Sequence, residues 1–343
     1  IRILKKIIIH EFILINSYTE NLFFFVSNLS EFHFSCRKEY NEEWRKVFGE
    51  LSETEETHLK NFSIILKKYG FDDQNPYLGI PFFLSSENQK IKSVKKVLDK
   101  EEFSIVGKTL EIFRPKFELV YEKDKLDDWI RIQSEIFKGD RIQNAIREIA
   151  SLLGAEISAK RINVHLLGFI SPKMLASGGA NLGPNDITLE MPVNRIEDWI
   201  GEWGVFVALH ELTHLFFESS KAQKILKEKT KKISINKIAK IKPERDLYNL
   251  MKEIVTELCA PSGYICEKNS RKIKPLSEIL ITNLGRKLEQ FEKYKKNKDV
   301  PYHDLSPYIV WQTYPLVSLY VNNKMTVDLK FMDSLFEILK AGD

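Results

Sequence analysis

The stretch Val205 to Glu218 reads VFVALHELTHLFFE and places two histidines four residues apart with a glutamate after the first. On an α-helix, residues at that spacing lie one above the other on one face, so His210 and His214 can aim both imidazoles at a single ion, with Glu211 beside them. Two neutral imidazoles suit zinc. A third protein ligand then leaves one coordination position open, where a water's pKa falls to about 7. Glu211 is placed to take that water's proton and pass it to a leaving amine. The third ligand must come from elsewhere, and NLMKEIVTELCAPSGYI offers Glu253 and Glu257, one helical turn apart and 39 and 43 residues beyond His214.

These residues need a helix held in the centre of a domain. Val205, Leu209, Leu212 and Phe216 make a continuous apolar stripe, and Val207, Glu211, His214 and Glu218 make the opposite one, on a helix that is apolar nearly all round. Upstream, RIQNAIREIASLLG predicts a helix ending at Gly154, RINVHLLGFI a strand, SGGANLGPND a loop and ITLEMP a second strand. Earlier still, apolar residues at three- and four-residue spacing predict helices from Ser17 to Gly70, with Ser52 and Glu55 as a capping box. The segment FDDQNPYLGIPFFLSSENQ is a turn-rich break, helices resume from about Lys90 to Val120, and polar EKDKLDD suggests a boundary near residue 125. The expectation is a predominantly helical α+β chain: a helical N-terminal region over 1–125, then a catalytic domain over 126–343 with a small mixed sheet.

The order of helix, strands, motif helix and later Glu helix resembles the zincin metallopeptidases. A metzincin would carry Gly at 217 and His at 220; this chain has Phe217 and Ser220. Over residues 140 to 265 it resembles the gluzincins, whose ligand Glu has a small residue three later and a polar or acidic one four later. In EIVTE, Thr256 and Glu257 occupy those places. The resemblance implies one zinc per chain on His210, His214 and Glu253, with Glu257 orienting the His210 imidazole; the rival assignment makes Glu257 the ligand, with Ala260 three later. Aminopeptidase gluzincins carry Gly-x-Met-Glu-Asn on an edge strand about thirty residues before the motif. Here Gly178, Gly179, Ala180 and Asn181 lie at comparable distance as candidate substrate contacts, without the amine-gripping Glu, which favours an endopeptidase. An extended peptide is expected along Asp186 to Met191. Gluzincins often use a Tyr or His to stabilise the oxyanion, and VPYHDLSPYIVWQTYP supplies Tyr302, His303, Tyr308 and Tyr314. The alternative function is an inactive gluzincin scaffold that binds peptides or proteins.

Bulk composition indicates a globular chain. The 343 residues are 43% hydrophobic and 29% charged. The 52 Lys+Arg against 48 Asp+Glu leave only +4, too little to make nucleic acid the default partner. The segment KAQKILKEKTKKISINKIAKIKPER carries ten basic and two acidic residues and reads as a solvated face. Cys36, Cys259 and Cys266 are too few for a disulfide framework and point to a reducing, cytoplasmic location. No apolar run reaches the roughly 18 residues of a membrane span, and IRILKKIIIHEFILIN, interrupted by His10 and Glu11, reads as a core helix or strand.

Overall fold

A computed structural model describes residues 11–32, 36–69, 82, 85–155, 161–170, 179–182, 185–194, 202–231, 247–260, 263–270 and 302–340. The chain is mostly helical with a small mixed four-stranded sheet, an α+β arrangement. It divides into two compact units, both discontinuous. Among the described residues, a strand-bearing unit takes Glu11–Glu135 and Arg161–Gly201, and a helical unit takes Ile136–Lys160 and Glu202–Asp343.

In the strand-bearing unit, β1 (Glu11–Ile15) leads into α1 (Tyr18–Leu29), α2 (Lys38–Phe48) and α3 (Glu53–Lys68). A single 3-10 turn at Glu87–Gln89 runs into α4 (Lys90–Val94), followed by α5 (Lys100–Glu118) and α6 (Lys123–Lys138). The sheet is completed by β2 (Arg161–Phe169), β3 (Gly179–Asn181) and β4 (Asp186–Pro192) in the order β1-β2-β4-β3. The first three strands in that order run parallel, with Ile15 opposite His165 and Asn163 opposite Asp186, while β3 is antiparallel to β4.

Ser17 caps α1 by accepting from the Glu20 amide, and the Ser52–Glu55 capping box starts α3 as expected. Helix α1 is the hub of this unit. Its FFFV run is buried on every side because it packs against β2, α2, α3 and α5. Aromatic pairs fill the space between: Phe25 against Trp44 at 4.8 Å between ring centroids, and Tyr40 stacked on Phe169 at 4.0 Å.

The division of the chain differs from a break near residue 125. The run EKDKLDD is the exposed start of α6, a helix that continues to Lys138, and residues 161–201 group with the N-terminal helices. β4 also differs from an edge strand open to a peptide. Ile187–Leu189 are paired to β2 on one side and β3 on the other, so that backbone has no donors or acceptors left for an added chain.

The helical unit comprises α7 (Asp140–Leu153), α8 (Glu202–Glu218), α9 (Lys221–Thr230), α10 (Leu247–Glu257), α11 (Tyr264–Asn269), α12 (Tyr302–Asn322) and α13 (Leu329–Lys340). Helix α8 packs against α7, α9 and α10, and α12 packs against α10, α11 and α13. Helix α7 ends at Gly154, which takes up the left-handed conformation that favours glycine at a helix end. Its missing side chain leaves room for Thr326 and Lys221; an added Cβ would meet Thr326 Cγ2 at 2.6 Å. Cys259 and Cys266 are fully buried, and burial pushes the Cys259 thiol up to about 12, so both act as small core residues. Among the described residues no helix is long and apolar enough to cross a membrane.

Candidate metal centre

Helix α8 is buried almost all round, as its apolar sequence requires. Val205, Leu209, Leu212 and Phe216 are in the core, and between Gly204 and Phe217 only His210, His214 and Leu215 are partly exposed. The accessible positions 210 and 214 form one stripe by the four-residue repeat, and α10 packs beside this helix. On α10, Leu250, Met251 and Ile254 are buried, which sets Glu253 toward the two histidines.

The donor atoms converge. His210 Nε2 lies 3.2 Å from His214 Nε2, and the two oxygens of Glu253 lie 3.2 Å from His210 Nε2 and 3.5 Å from His214 Nε2. The side chains of His210, His214 and Glu253 are 13%, 14% and 17% exposed, enough for a small species to reach them. Glu257, the rival third ligand, is not in this group.

The far sides of both rings fix their tautomers. His210 Nδ1 is 3.0 Å from the Ala260 carbonyl oxygen, which can only accept, so this nitrogen carries the proton and donates. Thr256 Oγ1 is 3.0 Å from the Lys252 carbonyl and 3.2 Å from His214 Nδ1. Its single hydroxyl proton goes to the carbonyl, so it accepts from His214 Nδ1–H. Both Nε2 lone pairs therefore face Glu253. Three acceptors aimed at one point repel each other unless a positive species sits among them.

The charges around His210 favour a positive species at this point, whether a proton or a metal ion. Burial alone would pull the His210 imidazolium down, but the hydrogen bond and charge of Glu253, with the charges of Glu211 and Glu257, raise it to about 10. Glu211 is itself buried. Burial, with the charge of Glu253, holds the Glu257 carboxyl above the usual range against the pull of His210. The expected role of Glu257 is thus altered: the group on His210 Nδ1 is the Ala260 carbonyl, and Glu257 acts on His210 as a nearby charge. Neither Thr256 nor Ala260 carried a signal for these contacts, because a threonine and an alanine carbonyl are chemically unremarked in a sequence.

Tyr314 on α12 donates its hydroxyl to Glu267 on α11 at 2.8 Å, and burial followed by that bond raises its pKa, so the group is committed as a structural donor. Tyr302, His303 and Tyr308 also lie on α12, with side chains outside the described residues. Gly178 is outside them as well, while Gly179, Ala180 and Asn181 form β3 in the strand-bearing unit. The basic segment begins as α9, and residues 232–246 are outside the described residues.

No family model matches the chain, no curated protein matches it, and no solved structure matches it.

Proposed function

We propose that this protein is a zinc-dependent peptide-bond hydrolase of gluzincin type, more an endopeptidase than an aminopeptidase. One observation carries the reading: two imidazoles with their Nδ1 protons fixed elsewhere direct both Nε2 lone pairs, with the Glu253 carboxylate, at a common point. The 3.2 Å between the two Nε2 atoms suits neighbouring corners of a tetrahedral zinc, and each Nε2 has one Glu253 oxygen within 3.5 Å. Ligand distances of about 2.0–2.1 Å put tetrahedral corners roughly 3.3–3.4 Å apart.

Zinc held by His210, His214 and Glu253 would supply Lewis acidity and make a water acidic near neutral pH. Ala260 and Thr256 keep the two rings in the coordinating tautomer. Glu211, adjacent to His210 and buried, takes a proton from the attacking water as the new C–O bond forms, and delivers it to the leaving nitrogen as the C–N bond breaks. Burial keeps that carboxylate away from bulk water and its proton exchange.

The test pairs metal analysis with turnover of a mixture of unstructured peptides. Glu211→Gln is expected to retain about one zinc per chain while hydrolysis falls by roughly 10²–10⁴, the span of general acid–base catalysis. Undiminished hydrolysis in that variant would remove Glu211 from the mechanism. Peptide binding without turnover by the zinc-loaded wild type would instead support a binding scaffold.

A further inference from the structure

The strand-bearing unit contains a cavity of about 560 Å³. Small-molecule sites span roughly 300–1000 Å³, so it is large enough to hold a ligand. One wall is the face of β2 carrying Arg161, Asn163 and His165, alternate residues that point the same way, joined by Asp186 from β4, which stands opposite Asn163. These side chains form a chain of hydrogen bonds: Arg161 Nε donates to Asn163 Oδ1 at 2.9 Å, Asn163 Nδ2 donates to Asp186 Oδ1 at 2.7 Å, and His165 Nε2 meets the same oxygen at 3.2 Å.

Most charged groups lining the cavity already have counter-charges or donors. Glu87 accepts from Ser17 Oγ at 2.5 Å and from the Thr19 amide and hydroxyl at 2.9 and 2.5 Å. Lys90 is ion-paired with buried Glu20 at 2.6 Å, and Lys123 with Asp127 at 2.5 Å. His165 is held between Glu20 and Asp186. Two groups are left open. Arg161 is anchored through Nε, and among the described residues no acceptor lies on its two terminal nitrogens, which therefore present the fork that fits a carboxylate. The Asp186 side chain is only 6% exposed, yet both of its contacts fall on Oδ1, and Oδ2 has no partner among the described residues. Asp186 lines the cavity, and the natural complement of a carboxylate oxygen there is an ammonium.

We propose that this cavity binds a free α-amino acid, its carboxylate on Arg161 and its ammonium on Asp186. A simple anion on Arg161 would also meet Asp186, and a simple cation on Asp186 would also meet Arg161. A zwitterion satisfies both. Asn163 bridges the two, accepting from the guanidinium and donating to the carboxylate. Ile15, Tyr18 and Tyr121 line the remaining space and provide an apolar and aromatic surface for the side chain.

The test is isothermal titration calorimetry of the full chain with each common α-amino acid in turn, both zinc-loaded and with a chelator present, so that chelation at the metal centre cannot supply the heat. At least one is expected to bind once per chain under both conditions, with its methyl ester and its N-acetyl derivative each at least tenfold weaker. Arg161→Gln is expected to make the acid and its methyl ester equivalent. Asp186→Asn is expected to make the free and acetylated amines equivalent. No heat from any amino acid with the wild type, or equal binding of the blocked and free forms, would overturn the proposal whatever the variants do. Heat that disappears with the chelator would assign the binding to the metal centre and overturn it equally.

Discussion

His165 in the strand-bearing unit and His210 in the helical unit are both beside carboxylates and shielded from solvent, yet a lysine completes the first cluster and a second imidazole the other. His165 Nδ1 lies 3.0 Å from Glu20 and Nε2 3.2 Å from Asp186, and Lys90 reaches Glu20 at 2.6 Å, so cation and anion alternate along the cluster. Against the cost of burial, the hydrogen bonds and charges of Asp186 and Glu20 hold His165 above its usual pKa. His210 spends Nδ1 on a carbonyl and turns Nε2 toward another imidazole and a carboxylate, neither of which offers a proton. Histidine near glutamate is therefore not in itself a metal signal. What separates a closed ionic network from a coordinating one is whether the shared carboxylate meets a lysine or a second imidazole.

The sharpest way to break this contrast is to remove the converging carboxylate. Glu253→Ala is expected to abolish stoichiometric zinc, measured by elemental analysis after dialysis, whereas Glu257→Ala retains it. Zinc lost from both variants alike would erase the distinction between a ligand and a nearby charge.

The closed network is expected to answer in stability rather than in metal. Glu20→Gln strands buried Lys90 and should cost about 3–5 kcal/mol in denaturant unfolding, with zinc content unchanged. The pH dependence has a definite sign. Because the folded pKa of His165 is raised, its contribution is complete below the unfolded value near 6.5 and is lost as pH rises through the folded one. The wild type should weaken over that alkaline interval, and Glu20→Gln should weaken less. A smaller effect sharpens the coordinating side: Thr256→Val removes the acceptor for His214 Nδ1–H and should raise the zinc dissociation constant by about 10-fold in a competition titration.

The motif histidines and Glu211 could be read from helical spacing, whereas spacing left Glu253 and Glu257 both open and only the gluzincin resemblance favoured Glu253. The strands β2 and β4 were readable from runs of β-branched residues. β1 was ambiguous between helix and strand, since a five-residue apolar run has no period long enough to decide. β3 looked like a loop: Gly-Ala-Asn has little strand preference, and its pairing to Ile187–Leu189 makes it a strand. Glu20, Lys90, His165 and Asp186 were invisible as a cluster because they lie on four elements far apart in the chain, each an ordinary residue where it stands. The division into units was hidden for the same reason.

The pairing of Glu11–Ile15 with Arg161–His165 also orders events on the ribosome. At about 5–20 residues per second, the partner of the first strand emerges roughly 7–30 s after it. Throughout that delay the phenylalanine-rich α1 lacks the strand it packs against, and α7, made in the interval, lacks α8. A nascent chain stalled before residue 161 would hold apolar surface from both units at once, the kind of surface that holding chaperones cover.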